Sequence, residues 1–399
     1  MRETPLNVLA IEPWYGGSHR NFLDGLIRHS RHTFHPLTMT ARFWKWRMHG
    51  GAVTMARKAL ESIEKEGKPD VIFATDMLNV PAFLALTRPH LGDVPVVLYL
   101  HENQLTYPLR PGVERDNTYA YLNYLSCLAA DRIVFNSRFH YEEFMEALPV
   151  LLRTFPDYNH LNGVQEIRRK SSVLHLGMDL RAHDAYRKHL SPRGRMHSNV
   201  PIVLWNQRWE YDKNPEAFFR LMNRLDDVGC DFKLILAGEH FEEQPYEFQK
   251  AFERYADQIL HYGYAENFEE YSTLLHRADV IVSTAIHEFF GIAIQEAIYC
   301  GCHPLLPNRL SYPELIPPAL HRPLLHAPTL YDDEEHLFRI MVTILKGEER
   351  PLPPETLHDI PERLDWRVHA RVYDAMLEDA VTAGSSVGAS IGTSAGASR

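Results

Sequence analysis

The chain has 399 residues, of which 45% are hydrophobic and 24% are charged, so disordered and fibrous classes are excluded for most of it and about two or three globular domains are expected. No uncharged run approaches the roughly 18 residues of a membrane span, and the start lacks a basic and apolar leader, so we expect a cytoplasmic protein without a membrane partner. The formal net charge of −10 argues against a polyanionic partner over the whole surface, but it leaves room for a local basic patch.

Strand-like and helix-like segments alternate in two series, which predicts two parallel α/β units. In the first series, apolar runs of strand length occur at 6–11, 70–74, 95–100, 131–135 and 171–176. Residues 186–200 then lose hydrophobic periodicity and gain proline, glycine and cations, as an inter-domain linker does. We therefore place a first domain at 1–190.

The second series predicts strands at 201–205, 231–237, 258–262, 280–284 and 304–306, and a domain at 200–345. Two closing helices are expected at 333–345 and 366–379. The second of these lies in a segment, 360–380, that we expect to pack back on the first domain. Residues 383–399 are mostly Gly, Ser, Ala and Thr, so we expect a disordered tail there.

The first predicted strand is followed by a two-glycine loop, Gly16 and Gly17, and by Ser18, which is placed to cap the next helix. Paired glycines let the backbone approach a ligand and leave N–H groups facing it. A tight strand-to-helix turn without a ligand explains the same pattern equally well.

A cluster of polar residues follows the strand predicted at 95–100. It comprises His101, Glu102, Asn103 and Gln104. Open α/β sheets bind ligands at the carboxyl ends of their strands, so the cluster is a candidate site and His101 is its main residue. A lone histidine in such a place is otherwise a structural residue.

In the second series, Arg208 and Lys213 lie between a strand and a helix that starts near residue 215. An arginine fork and a lysine charge suit the two phosphates of a nucleoside diphosphate. The alternative is a pair of surface cations, which would gain nothing from the dipole at a helix start. Gly238 with Glu239, and Tyr264, follow the next two strands, where a nucleobase could stack or bond to the backbone.

Glu288 and Glu296 are separated by seven residues and follow the strand at 280–284. We expect Glu288 in the turn and Glu296 in a helix over 291–300, with Gly301 just past its end. A helix N-terminus can hold a phosphate, and a nearby carboxylate can accept hydrogen bonds from sugar hydroxyls. One capping and one exposed glutamate would give the same spacing.

The chain contains no Asp-x-Asp motif, although enzymes that neutralise a diphosphate with a divalent cation need clustered carboxylates. We therefore predict a metal-independent site with no cofactor.

Residues 41–49 interleave cations with aromatics, including Trp44, Trp46 and Arg47, and residues 168–170 form a second basic cluster. Such a composition is typical of surfaces where bases stack and phosphates pair. An amphipathic helix with its tryptophans packed inward explains the first cluster as well, and a solvated loop explains the second.

Taken together, the runs 12–19, 101–105, 208–213 and 287–291 and the pair Glu288 and Glu296 resemble GT-B glycosyltransferases of family 4, and more narrowly the tRNA-queuosine mannosyltransferases. The resemblance extends from residue 7 to about residue 317. It implies two Rossmann-like domains facing a central cleft. It also implies retaining transfer of mannose from GDP-mannose to the queuosine base in the anticodon of tRNA for aspartate.

The resemblance implies that Arg208 and Lys213 hold the diphosphate, Glu296 the ribose and Glu288 the donor sugar, with His101 beside the anomeric carbon. The predicted catalytic residues are His101, Arg208, Lys213 and Glu288. The predicted donor-binding residues are Gly16, Gly17, Arg208, Lys213, Gly238, Glu239, Tyr264, Glu288, Phe290, Gly291 and Glu296. The predicted acceptor-binding residues are Ser18, His19, Trp44, Trp46, Arg47, Glu102, Asn103 and Gln104.

Two alternatives stay open. One is a hexosyltransferase of the same fold that acts on a lipid or small-molecule acceptor, although no strongly amphipathic basic helix is evident. The other is a protein of this fold that has lost catalysis and only binds RNA. The oligomeric state is open.

Overall fold

A computed structural model describes residues 4–110, 112–189, 200–238 and 246–392, and the chain divides into two compact units. One unit comprises Met1–Met178 and Trp366–Arg399, and the other comprises Asp179–Asp365. The division therefore precedes the segment 186–200 where we predicted the linker. A 3-10 helix, Leu180–His189, accounts for this, because His183 hydrogen-bonds to Ser272 of the second unit. Residues 190–199 lie outside the described residues.

The first unit is built on one parallel sheet. Its strands are β1 (Asn7–Tyr15), β2 (Thr33–Thr40), β3 (Val71–Thr75), β4 (Val96–Leu100), β5 (Arg132–Phe135) and β6 (Ser171–Val173). Its first six helices are α1 (Gly17–His29), α2 (Trp44–Glu66), α3 (Val80–Leu91), α4 (Asn117–Ala129), α5 (Arg138–Leu152) and α6 (Asn162–Lys170). The strand order is β2-β1-β3-β4-β5-β6, and β3 and β4 are buried along their whole length, as expected for strands covered by helices on both faces.

Strand β2 is absent from the sequence prediction. It pairs only with β1 at the edge of the sheet, and most of its side chains are exposed or half-buried. Pro36 also interrupts its apolar run, which an edge strand tolerates. The apolar signal used to predict strands is therefore missing here.

The second unit is built on another parallel sheet. Its strands are β7 (Ile202–Trp205), β8 (Lys233–Ala237), β9 (Ile259–Gly263), β10 (Val280–Val282), β11 (His303–Pro307) and β12 (Leu330–Tyr331). Its helices are α7 (Pro215–Asp227), α8 (Tyr246–Arg254), α9 (Phe268–Arg277), α10 (Ile292–Tyr299), α11 (Tyr312–Leu315), α12 (Glu334–Leu345) and α13 (Pro354–Glu362). The strand order is β12-β11-β10-β7-β8-β9. The five predicted strands all fall on observed strands, and the two-residue β12 was missed because it is too short to carry a pattern.

In each sheet, the strand order reverses at one place, between β1 and β3 in the first unit and between β7 and β10 in the second. The loops at the carboxyl ends of two such strands leave the sheet in opposite directions and open a crevice between them. These two positions are where a ligand site is expected in each unit.

The last helix, α14 (Trp366–Gly392), belongs to the first unit. Its first residue is held tightly, because a Cβ atom added to Gly25 would lie 2.0 Å from Nε1 of Trp366, and one added to Gly177 would lie 2.4 Å from Cε3. The helix extends into the segment 383–399 that we predicted to be a disordered tail, since adding residues to an existing helix is easier than starting one. Residues 393–399 lie outside the described residues.

Across the described ranges, no helix is both long enough and apolar enough to cross a bilayer.

Candidate active site

In the first unit, polar side chains gather along neighbouring strands at the expected crevice. Glu12 lies in β1, and Asp76, His101 and Asn136 follow β3, β4 and β5. The backbone N–H of His101 donates to Oδ1 of Asp76 at 2.8 Å, and Nδ2 of Asn136 donates to the carbonyl oxygen of His101 at 2.8 Å. These two bonds fix the turn that carries His101.

Glu12 is fully buried and holds two groups at once. Its Oε1 accepts a hydrogen bond from the backbone N–H of Trp14 at 2.8 Å, and its Oε2 lies 3.1 Å from Nδ1 of His19. Burial by itself lowers the pKa of His19, but the Glu12 carboxylate outweighs it and raises that pKa to about 9. His19 is therefore an imidazolium at neutral pH.

His101 lies against His19, but its ring is neutral where that of His19 is charged. The ring centroids are 4.1 Å apart. Burial, and then the charge of His19, hold the pKa of His101 well below its usual range, so its imidazole is neutral. Its Nε2 is buried without a hydrogen-bond partner among the described residues, and it is free to bond to a substrate hydroxyl.

Glu12, His19 and His101 offer ligand atoms within 4.8 Å of one another, as a metal site would require. Oε2 of Glu12 is already occupied by Nδ1 of His19, and the two imidazole rings are tilted by 37° relative to each other. This arrangement fits a fixed charge beside a neutral imidazole better than a metal site. A second group with suitable spacing, His358, Asp359 and Glu362, lies at the surface of α13.

Replacing Glu12 by glutamine is expected to lower the pKa of His19 from about 9, because the Glu12 carboxylate is the main group that opposes the cost of burial. Since the folded-state pKa of His19 is raised, its contribution to stability is complete below about pH 6.5 and is lost as the pH rises through about 9. NMR titration of the His19 ring protons in the wild type and in Glu12→Gln measures the shift. An unchanged His19 titration would contradict this account.

The two-glycine loop makes a close approach to another part of the chain, and its approach to a ligand stays a prediction. A Cβ atom at Gly16 would lie 2.5 Å from Cβ of Ala41, and Gly17 has a φ of +51°. The prediction that Ser18 caps α1 was wrong. The capping residue is Gly16, which has no side chain to bond, and Ser18 is exposed in the first turn.

The residues after His101 serve largely to fold their own loop. Asn103 is fully buried, and its Oδ1 accepts from the backbone N–H groups of Leu105 and Thr106, both at 2.9 Å. Asn103 therefore helps to fold its own loop, and its role in acceptor binding stays a prediction. Gln104 and Glu102 are half-buried and hydrogen-bonded to each other at 3.0 Å, so they stay at the surface of the crevice.

The aromatic run at the start of α2 divides into packed and exposed members. Trp44 is half-buried, with its ring 4.9 Å from that of Tyr119, whereas Trp46 is 61% exposed. Arg47 is half-buried and donates from Nε and Nη2 to the carbonyl oxygen of Thr40. The inward packing that we weighed against RNA binding therefore holds for Trp44 and not for Trp46.

In the second unit, Lys213 lies at the centre of a buried ion cluster. Its Nζ is 2.9 Å from Oδ2 of Asp212, 3.0 Å from Oε2 of Glu288 and 3.2 Å from the carbonyl oxygen of His287. Burial opposes its charge, but Glu288 and Asp212 together raise the pKa of Lys213 above its usual value. The structure thus joins two predicted residues, Lys213 from the β7 loop and Glu288 from the β10 loop.

Arg208 contrasts with Lys213 because its side chain is 47% exposed and its Nη2 lies 3.5 Å from Oε2 of Glu210. An exposed guanidinium can bind a phosphate with little rearrangement. The loop after β7 thus offers one fixed and one accessible cation.

Glu288 and Glu296 occupy the loop and helix positions that we predicted. Gly291, with a φ of +91°, precedes α10, and Gly301 follows that helix with a φ of +88°. Glu296 lies within α10 and accepts a hydrogen bond from the hydroxyl of Tyr271 at 2.7 Å. Burial raises the pKa of Glu296 to about 7, although the Tyr271 bond opposes this.

The remaining predicted donor residues differ in accessibility. The ring of Phe290 is buried, and its backbone N–H donates to Oε1 of Glu288 at 3.4 Å. A Cβ atom at Gly238 would lie 2.1 Å from the carbonyl oxygen of Gln207, so this close approach requires glycine. Tyr264 is 71% exposed after β9. Glu239 lies outside the described residues.

Sequence reasoning missed several members of both clusters. Asp76 and Asn136 each follow an apolar strand, and the rule that selected His101 would have selected them too. Asp212 lies within the run that we singled out for its cations. Tyr271, in α9, carries no sequence signal, because only the fold brings it to Glu296.

Two family models match the chain: tRNA-queuosine alpha-mannosyltransferase N-terminal over residues 7–178, and glycosyl transferases group 1 over residues 188–335. The tRNA-queuosine alpha-mannosyltransferase of Drosophila melanogaster is 34% identical over 314 residues, which are 78% of this chain and 82% of the relative. A GDP-mannose-dependent alpha-(1-6)-phosphatidylinositol dimannoside mannosyltransferase of Mycobacterium tuberculosis is 23% identical over 274 residues, 67% of this chain and 64% of that relative.

Among solved structures, the catalytic domain of starch synthase IV from Arabidopsis thaliana, bound to ADP and acarbose, superposes with a TM-score of 0.69 at 12% identity. The match covers 95% of this chain and 100% of that structure. The two parallel-sheet units and the sequence matches define a glycosyltransferase with the GT-B fold. The identity to the Drosophila relative narrows this class, and the chain belongs to the tRNA-queuosine alpha-mannosyltransferase family.

Proposed function

We propose that this glycosyltransferase moves mannose from GDP-mannose to the queuosine base in the anticodon of tRNA for aspartate, with retention of anomeric configuration. The observation that carries the donor half is the cation pair of the β7 loop, in which Lys213 is fixed by Glu288 and Arg208 is accessible. The names of the Drosophila and mycobacterial relatives support queuosine-tRNA as acceptor and GDP-mannose as donor.

In this proposal, Arg208 and Lys213 stabilise the negative charge that develops on the departing diphosphate. Glu288 accepts hydrogen bonds from hydroxyls of the mannose, and Glu296 from the two ribose hydroxyls. Gly291 opens α10 towards the phosphates, and Gly238 and Tyr264 contact the nucleobase. Catalysis then consists of positioning and charge stabilisation, and the leaving phosphate accepts the proton of the incoming hydroxyl, so no side-chain nucleophile is needed.

On the first unit, the proposal assigns His101 to the mannose beside its anomeric carbon, where a neutral imidazole can hydrogen-bond to a hydroxyl. The imidazolium of His19 adds a fixed positive charge next to it. Gly16 and Gly17 bring backbone N–H groups towards the diphosphate. Ser18, Glu102 and Gln104 are left for the acceptor, since all three reach the surface.

Replacing Arg208 by alanine is expected to lower turnover by more than about tenfold, because one of two cations on the leaving diphosphate is lost. The same substitution at Arg220 is the matched control, since that arginine is also about half exposed and also paired to a glutamate, Glu334. Steady-state transfer rates at saturating donor measure the effect. An unchanged rate for Arg208→Ala would remove this residue from the mechanism.

We also propose that the reaction needs no divalent metal, since Arg208 and Lys213 supply the charge that a metal would supply and the chain has no Asp-x-Asp. Transfer is expected to be unchanged after treatment with EDTA. Activity that is lost on chelation and restored by manganese or magnesium would refute the proposal.

The proposed function is tested by incubating the protein with GDP-mannose and with UDP-glucose against queuosine-containing tRNA, followed by nucleoside mass analysis for an added hexose. Hexose from GDP-mannose alone is the expected result. Donor hydrolysis without transfer to tRNA would favour a lipid or small-molecule acceptor. If the donor is not hydrolysed and GDP does not raise the melting temperature, the result would favour the non-catalytic RNA-binding alternative.

A further inference from the structure

Two large aromatic side chains at the start of α2, three residues apart in sequence, are exposed. Phe43 is 77% exposed and Trp46 is 61% exposed. Phe43 has a φ of +55°, a left-handed conformation that bulky residues rarely adopt, and the backbone N–H of Trp46 donates to its carbonyl oxygen at 2.8 Å. We call Phe43 and Trp46 the aromatic platform. Hydrophobic burial does not explain the exposure of either side chain.

The indole of Trp46 packs against the backbone of its own helix. A Cβ atom added to Gly50, one helical turn further along α2, would lie 2.7 Å from Cζ2 and 2.8 Å from Cε2 of Trp46. The ring therefore rests against the helix backbone with one face, and only a glycine leaves room for this position. An exposed aromatic ring that is fixed in this way loses little conformational entropy when a second ring stacks on it.

The surroundings of the platform are positive in a protein whose net charge is −10. No aspartate or glutamate occurs in residues 40–50, whereas the same stretch carries the cations Arg42, Lys45 and Arg47. Arg42 and Lys45 are exposed beside the platform, and Nζ of Lys45 lies 5.7 Å from the ring centroids of Trp44 and Tyr119. The acidic Asp116 near Lys45 is occupied in capping α4.

We propose that the aromatic platform stacks with unpaired bases of an RNA, while Arg42 and Lys45 bind the flanking phosphates. Stacking on exposed rings between cations is how proteins bind single-stranded nucleic acid, because every base has a flat face and every linkage carries a charge. The inference rests on the proposed function, since an anticodon loop is the part of a tRNA that offers unpaired bases. It places the acceptor contact on Phe43 and Trp46 and gives Trp44 a structural role.

The test uses the full chain and a fluorescent RNA hairpin with the sequence of the aspartate anticodon stem and loop, without queuosine. Phe43→Ala and Trp46→Ala are each expected to weaken binding by about tenfold, the effect of losing one stacked base. Tyr158→Ala is the matched control, because Tyr158 belongs to the same unit, is 84% exposed and also has a positive φ. It is expected to leave binding unchanged.

Two further variants separate stacking from charge. Gly50→Ala keeps the indole but displaces it, and it is expected to weaken binding of the hairpin while the melting temperature rise caused by GDP stays as in the wild type. Arg42→Ala with Lys45→Ala is expected to reduce the dependence of binding on salt concentration, since fewer counterions are released. Arg88→Ala, on α3, is the control for an exposed cation.

The proposal that the platform binds RNA is overturned if Phe43→Ala and Trp46→Ala bind the hairpin as tightly as the wild type. The proposal is also overturned if these variants leave hairpin binding unchanged but change sedimentation or binding to anionic vesicles. A change in sedimentation would indicate that the platform binds a second copy of the chain, and a change in vesicle binding would indicate a lipid surface. The proposed function fails separately, when the wild type adds no hexose to queuosine-containing tRNA. Hairpin binding is measured without any sugar transfer. It therefore tests the RNA-binding role of the platform whether or not the proposed function fails.

Discussion

Lys213→Ala is expected to lower the free energy of unfolding by about 3–5 kcal/mol and to reduce transfer of the sugar by about 100-fold or more. Lys213 is buried between two carboxylates, the buried Asp212 and the half-buried Glu288, and its removal leaves both of them without this cation. The loss of stability arises from these orphaned charges. The loss of activity arises from the missing cation at the diphosphate.

A second substitution separates the two effects of losing Lys213. In Lys213→Met with Glu288→Gln, one unpaired carboxylate is also removed, so stability is expected to recover in part while transfer stays low. Lys346→Ala, at an exposed lysine after α12, is the control and is expected to change stability by less than about 0.5 kcal/mol. Chemical denaturation and steady-state rates measure both quantities. Full recovery of transfer in the double variant would show that Lys213 serves only to neutralise Glu288.

The positions of the main site residues were predictable because one local rule places them. Polar residues in the loop after an apolar strand lie at the carboxyl edge of a parallel sheet, and His101, Arg208 and Glu288 all lie in such loops. The alternation of strands and helices likewise predicted two α/β units. These inferences need only neighbouring residues in the sequence.

The partners of these residues could not be predicted, because they come from distant segments. Lys213 meets Glu288, and Tyr271 meets Glu296, only after the strands of the second unit are arranged in the sheet. The distinction between Trp44 and Trp46 also depends on a distant residue, Tyr119, against which only Trp44 packs. Composition alone treats the two tryptophans alike.

In both units, carboxylates keep a neighbouring buried cation charged. This arrangement costs free energy, because the cation is removed from water. Glu12 keeps His19 protonated in the first unit, and Asp212 with Glu288 keeps Lys213 protonated in the second. Each cation is desolvated before any substrate arrives, so little reorganisation is needed when negative charge develops nearby. The cost is the burial of each cation, which opposes its charge in both units.

The affinity for the donor is expected to rise about tenfold between pH 6 and pH 8, because Glu296 must be ionised to accept hydrogen bonds from two ribose hydroxyls. Burial raises the pKa of Glu296 to about 7, so only about one-tenth of the carboxyl groups are ionised at pH 6. For the same reason, the contribution of Glu296 to the stability of the ligand-free protein is complete below about pH 4.5 and is lost as the pH rises through about 7. Calorimetry with GDP-mannose measures the affinity at each pH in this range.

Two variants decide whether Glu296 is the group that titrates. Glu296→Gln is expected to raise the donor KM by about 100-fold, since two charge-assisted hydrogen bonds are lost, and to remove the pH dependence of binding. Tyr271→Phe removes the hydroxyl that donates to Glu296 and helps to stabilise its anion, so the midpoint should move above pH 7. A midpoint that stays in place in both variants would assign the titration to another group. A loss of affinity in Glu296→Gln without any change in the pH profile would leave Glu296 as a donor ligand that is already ionised at pH 6.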